Sequence, residues 1–216
     1  GFAPPHVAGT ESWNGSSWTE VNDLNTARNN GGGAGTSTSA LMFGGYDATG
    51  IVGITESWNG SSWTEVNDLN TGRNGIGGTG ASNAAALAFG GETPGTAAHT
   101  DTESWNGSSW TEVNNLNTGR DGMSAGIGTY TAALAAGGNS DPSPATELAV
   151  TETWDGSSWT TAAGELNTAR KGLAGSGTST DGLIFGGREP TVTAKTESWN
   201  GTNWTETTDM NKVQSL

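Results

Sequence analysis

Cysteine is absent from the 216 residues. That excludes disulfides and thiolate chemistry, and it leaves the redox compartment open. Basic residues are scarce: eight Lys and Arg stand against 22 Asp and Glu, a formal net charge of −14. Such a field repels nucleic acid and anionic membrane surfaces, so neither is an expected partner. No apolar run approaches the ~20 residues that a membrane-spanning helix needs, and no secretory signal is visible. Histidine occurs only as His6 and His99, in unrelated loops and without a second His at ligand spacing, so no metal site is expected. No EF-hand or nonapeptide calcium pattern occurs either. Nothing reads as a nucleophile beside a base, and no cofactor is expected. The chain opens on Gly1 rather than Met, which suggests a processed product or a part of something longer.

What is present is repetition. Thr10-Glu11-Ser12-Trp13-Asn14-Gly15-Ser16-Ser17-Trp18-Thr19 returns at Thr55, Thr102, Thr151 (lightly altered) and Thr196, in steps of 45, 47, 49 and 45 residues. A period in the forties signals an array of supersecondary units, none able to bury its apolar face alone. The ten Trp residues argue against disorder.

One full unit runs from Asn25 to Val66 and reads as four short strands. Its Gly-rich first strand suits close backbone approach near an axis. Its second is an apolar run before a Gly pair: Leu41-Met42-Phe43, Ala86-Leu87-Ala88-Phe89, Ala133-Leu134-Ala135-Ala136 and Leu183-Ile184-Phe185. The third and fourth flank Asn59-Gly60, a hairpin signal because Asn and Gly tolerate positive φ. Trp58 and Trp63 are placed to pair across that hairpin. Four-stranded units of this length, repeated radially, describe a β-propeller.

The Gly44-Gly45, Gly90-Gly91, Gly137-Gly138 and Gly186-Gly187 pairs each close an apolar strand, and a Trp follows at a set distance. Then Arg28, Arg73, Arg120 or Arg170 sits at the opening of a unit. This pattern resembles the kelch repeat over nearly the whole chain. It departs in carrying Trp where kelch repeats usually carry Tyr, and in a shorter hairpin. The near-identity of the copies is similar to kelch-type arrays of phage and bacterial surface proteins. The resemblance implies an all-β propeller of four-stranded antiparallel blades. Kelch-fold copper oxidases use Cys and Tyr ligands; this chain has no Cys and only Tyr46 and Tyr130.

Four complete blades are expected at about 25–66, 70–113, 117–160 and 167–207, with an outer hairpin alone at 10–21, all within a single domain, 1–216. The tail Asp209-Met210-Asn211-Lys212 aligns with Asp23-Leu24-Asn25-Thr26. The expectation is a five-bladed ring whose first blade lacks its inner strands; a longer propeller, or strands supplied by another chain, are the alternatives.

The repeated Arg residues are expected to pair with the repeated Glu (Glu11, Glu56, Glu103, Glu152, Glu197) or with backbone carbonyls between blades rather than hold a ligand. The Trp residues are expected to pack blade on blade. The Asn-Gly-Ser motifs match glycosylation acceptors. Turn geometry explains them equally, since Asp155-Gly156 keeps the turn and loses the acceptor.

Function is therefore sought where the copies differ. The second-to-third connections, 46–54, 92–101, 139–150 and 188–195, carry nearly all the variation. They should share a face with the near-constant Asn-Asp-Leu-Asn-Thr segments. They hold the candidate ligand-binding residues Tyr46, Asp47, Glu92, His99, Asp101, Asp141, Glu147, Arg188 and Glu189. A rigid ring with variable loops on one face is a natural recognition surface. The expected function is non-enzymatic binding of a glycan or protein, outside a cell or on a virion. The alternatives are an architectural piece of a fibre or shell, a homo-oligomer or other assembly joined through the incomplete blade, and a glycan-cleaving enzyme using the loop carboxylates Asp47, Asp101 and Asp141.

Overall fold

The computed structural model describes residues 6–95, 98–122, 126–140 and 146–213. Among these the regular structure is all strand, and no helix occurs. Four four-stranded antiparallel sheets follow one another along the chain. The first blade comprises Gly32–Thr36, Ser39–Phe43, Thr55–Trp58 and Trp63–Val66. The second comprises Gly77–Ser82, Ala85–Phe89, Thr102–Trp105 and Trp110–Val113. The third comprises Gly126–Thr129, Ala132–Ala136, Thr151–Trp154 and Trp159–Thr161. The fourth comprises Ala174–Thr178, Asp181–Phe185, Thr196–Trp199 and Trp204–Glu206. Strand order within each blade is sequential, an up-and-down meander. A lone hairpin, Thr10–Trp13 with Trp18–Val21, precedes them.

The first strands of all four blades line one shared cavity through Gly33, Thr79, Ile127 and Ser176, so the blades stand around a common axis. Neighbouring first strands nearly touch there. A Cβ added to Gly78 would lie 2.8 Å from the Gly33 carbonyl oxygen, so only glycine fits at this crowded line.

The apolar core lies between blades rather than within them. Leu41 and Phe43 of the first blade pack with Trp105 and Trp110 of the second. Leu87 and Phe89 of the second pack with Trp154 and Trp159 of the third. Leu134 and Ala136 of the third pack with Trp199 and Trp204 of the fourth. Phe43 meets Trp110 edge-on at 4.9 Å, and Phe89 meets Trp159 likewise. Each interface also carries one indole hydrogen bond: Trp63 Nε1 donates to Thr10 Oγ1, Trp110 to Thr55, Trp159 to Thr102 and Trp204 to Thr151, at 2.8–3.1 Å. A single blade would expose one side of every such contact, which is why the units depend on their neighbours.

The series stops at the two ends. No corresponding bond joins Trp18 to Thr196 among the described residues, and Trp18 is 63% exposed where the Trp at its position in the last three hairpins is 5% exposed.

The Trp hairpins close differently from the expectation. Asn14, Asn59, Asn106 and Asn200 do not adopt positive φ; the glycine after each does, at 91–97°. The Asn contributes its side chain instead. Asn59 Oδ1 accepts from the N–H groups of Ser61 and Ser62 and from the Ser61 hydroxyl at 2.9 Å. Asp155 makes the same three contacts at 2.8 Å, so a carboxylate oxygen replaces an amide oxygen without changing the turn. Those donors pull the Asp155 carboxyl down to about 2.

Candidate functional site

The segments Asn25–Arg28, Asn70–Arg73, Asn117–Arg120 and Asn167–Arg170 are not strands; they carry the polar framework beneath the variable-loop face. Arg73 donates to Glu103 Oε1 at 2.8 Å, and through its other terminal nitrogen to the carbonyl oxygens of Gly90 and Asp101 at 2.7 Å. Arg120 and Arg170 repeat this with Glu152 and Glu197, and Arg28 reaches Glu56 at 2.5 Å. All eight side chains are buried. The second oxygen of each Glu accepts from an Asn: the N–H and the Nδ2 of Asn70 both reach Glu103 Oε2. Burial alone would raise the Glu56 carboxyl, but the hydrogen bonds from Arg28 and Asn25 outweigh it and hold it below the ordinary range. Burial lowers the Arg73 and Arg120 guanidinium groups, with Glu103 and Glu152 opposing. The repeated Arg residues are therefore committed to structure, as their pairing with the repeated Glu requires.

This framework positions the next residue in each copy. Immediately after the four arginines stand Asn29, Asn74, Asp121 and Lys171; immediately after the four Gly pairs stand Tyr46, Glu92, Asn139 and Arg188. The two sets meet one to one across antiparallel bridges: Asn29 with Tyr46, Asn74 with Glu92, Asp121 with Asn139, and Lys171 with Arg188. One step further, Asn30, Gly75, Gly122 and Gly172 all have φ of 54–60°. Gly75 N–H donates to the Asn30 carbonyl and Gly172 N–H to that of Gly122, which laces blades together around the axis. Left-handed backbone favours glycine, and Asn30 is the side chain that tolerates it most readily.

Seven of the eight paired residues, all but Tyr46, line an axial cavity of about 750 Å³ on the variable-loop face. Its wall includes Asn29, Asn74, Glu92, Asp121, Asn139, Lys171 and Arg188, and its apolar side chains are Val7 and Met42. Asn74 Nδ2 donates to Glu92 Oε1 at 2.8 Å. Asn139 is 8% exposed, and its Oδ1 has no hydrogen-bond donor among the described residues. Lys171 Nζ stands 3.7 Å from Glu147 Oε1.

The expected ligand-binding residues separate into three groups. Glu92 and Arg188 reach the cavity wall, and Tyr46 stands at the matching position in the first blade, 39% exposed, with His6 edge-on at 5.8 Å. Asp47, His99, Asp101 and Glu189 make local contacts outside that wall. Asp47 Oδ1 accepts from the Thr49 hydroxyl and from the N–H groups of Thr49 and Gly50, which together hold its carboxyl below the ordinary range. His99 sits between Thr93 Oγ1 at 2.8 Å and Asp101 Oδ2 at 3.2 Å. Glu189 pairs with Lys195 at 2.8 Å. Asp141 lies outside the described residues. Among the described residues no group of three or more His, Asp or Glu is placed to hold a metal ion.

The residues that sequence reasoning missed are Asn74, Asp121, Asn139 and Lys171. The signal was present. Within the repeated Asn-Thr-x-Arg context, the residue after Arg is Asn, Asn, Asp, then Lys, a variable column inside a constant motif. The shared face was legible: Leu69 N–H reaches the Gly53 carbonyl and Gly45 N–H the Arg73 carbonyl, joining variable loop to constant segment.

No protein-family model matches the chain, and no curated protein matches it.

Proposed function

We propose that this protein is a non-enzymatic recognition propeller, kelch-like in its repeat, that binds a glycan or protein ligand at the axial mouth of its variable-loop face. The observation that carries this reading is the column after the Gly pairs. Three otherwise near-identical blades present Glu92, Asn139 and Arg188 at the same place on the wall of one cavity, and Tyr46 holds the matching position on the first blade, whose Asn29 lines that wall. The repeated Trp, Arg and Glu are held by contacts made in every blade, whereas the four residues after the Gly pairs differ in charge and size. Ligand cavities commonly measure about 300–1,000 Å³, which suits a few sugar rings better than a folded partner. The resemblance to kelch-type arrays of phage and bacterial surface proteins supports placement on a virion or cell exterior. Retention of the intact chain on a saccharide panel, alongside pull-down against candidate host surfaces, tests the reading. Retention that is lost in Glu92→Ala or Asn139→Ala supports it. Silence in both, with turnover of some substrate, refutes it.

One observation favours a second, architectural role. Trp13 is 46% exposed and Trp18 63%, whereas the other hairpin tryptophans are buried or half-buried. Blade strands from a neighbouring chain would cover them, as the first blade's neighbour covers Phe43. Size measurement across a dilution series distinguishes an assembly joined there from a monomer.

A further inference from the structure

Cations in this chain are few and almost entirely accounted for. Of the eight Lys and Arg, Arg28, Arg73, Arg120 and Arg170 are consumed by buried Glu partners. The remaining four, Lys171, Arg188, Lys195 and Lys212, all follow residue 170. Lys195 is taken by Glu189 and the Thr168 hydroxyl. Lys171 and Arg188 are bridge partners on the fourth blade, and both line the axial cavity. Arg188 Nε donates to the Pro190 carbonyl at 2.8 Å, which fixes the guanidinium, while its two terminal nitrogens have no partner among the described residues. Among the described residues the Lys171 ammonium has only the 3.7 Å contact with Glu147.

The other side of the same cavity is acidic and amidic. Glu92, Asp121 and Asn139 belong to the second and third blades. The opposite axial cavity, lined by Gly, Ala, Thr, Ser, Leu and Ile, offers nothing comparable.

Building on the recognition role proposed above, we infer that the axial cavity takes an acidic saccharide, its carboxylate on Lys171 and Arg188 and its hydroxyls toward the Glu92 and Asn139 side of the wall. The planar fork of Arg188 matches a carboxylate, and a cation pair in a chain of net charge −14 offsets the field that would otherwise repel one. Asp and Glu side chains across the cavity accept from sugar hydroxyls and, by charge, set the orientation of the acid group toward the fourth blade.

Titration of the intact chain with galacturonate and with galactose, which differ at the carboxylate, tests this by amide NMR at low salt. Galacturonate is expected to bind about tenfold more tightly, the worth of one charge-assisted contact. Arg188→Gln, an exposed position, should abolish that preference, weakening galacturonate far more than galactose. Asn139→Leu should weaken both sugars several-fold. Equal binding of the two sugars, unchanged in Arg188→Gln, overturns the acidic specificity and leaves glycan recognition standing. Absence of binding by both, together with no retention on the saccharide panel, overturns the inference and the glycan reading together.

Discussion

Arg73 and Glu103 meet at 2.8 Å with both side chains buried, and the same pair recurs in every complete blade. Arg73, Arg120 and Arg170 each join the end of their own blade's Gly-Gly strand to the start of the third strand, because the second terminal nitrogen binds carbonyls on both, Gly90 and Asp101 in the case of Arg73; Arg28 instead reaches the Met42 carbonyl. Glu103→Gln leaves that guanidinium buried without its counter-ion. Loss of one partner from such a pair typically costs about 3–5 kcal/mol. Urea unfolding of Glu103→Gln should show a loss of that order, and the double variant Arg73→Met/Glu103→Leu should recover part of it.

Acid should destabilise the chain through Glu56, the partner of Arg28 in the first blade. The Glu56 carboxyl is held below 4.5, its ordinary value, in the folded state. Its contribution is therefore complete above that value and is lost as pH falls through the lower folded value. Trp fluorescence followed from pH 7 downward should show no transition until below about pH 4.5. A transition centred near neutrality would contradict the role given to the pair.

The tryptophans should not be equivalent. Trp110 is buried against Phe43 and donates to Thr55 Oγ1, whereas Trp18 is mostly exposed. Trp110→Ala should cost about 3–5 kcal/mol, and Trp18→Ala under about 1 kcal/mol. Denaturant midpoints of the two variants check this.

The hairpin turns should accept Asp and reject Ala. Asn106→Asp reproduces the contacts seen at Asp155, so its melting temperature should match that of the parent chain. Asn106→Ala removes the acceptor for two N–H groups and one hydroxyl and should cost about 1 kcal/mol.

Much of the fold was legible in the sequence because the features that build it repeat. The Gly pairs, the Trp spacing and the Arg–Glu recurrence each mark a position that neighbouring blades constrain identically. The candidate site was half legible. Loop length and composition drew attention to Asp47, His99 and Glu189, whose polar groups the structure consumes in a local turn, a His–Asp contact and a surface ion pair. Asn74, Asp121 and Lys171 were passed over because they sit inside the constant segment. Only the bridges to Glu92, Asn139 and Arg188 show that two variable columns form one rim. Pairing between distant columns is a property of the folded blade, and periodicity alone does not reveal it.

The central claim is a division of labour between repeated and varied carboxylates, and one paired measurement tests it: stability and saccharide retention of Glu103→Gln beside those of Glu92→Gln. The account predicts that Glu103→Gln unfolds at lower urea while its folded molecules keep their retention, and that Glu92→Gln keeps its stability and loses retention. Loss of stability at Glu92 with retention intact, or loss of retention per folded molecule at Glu103 alone, would contradict it.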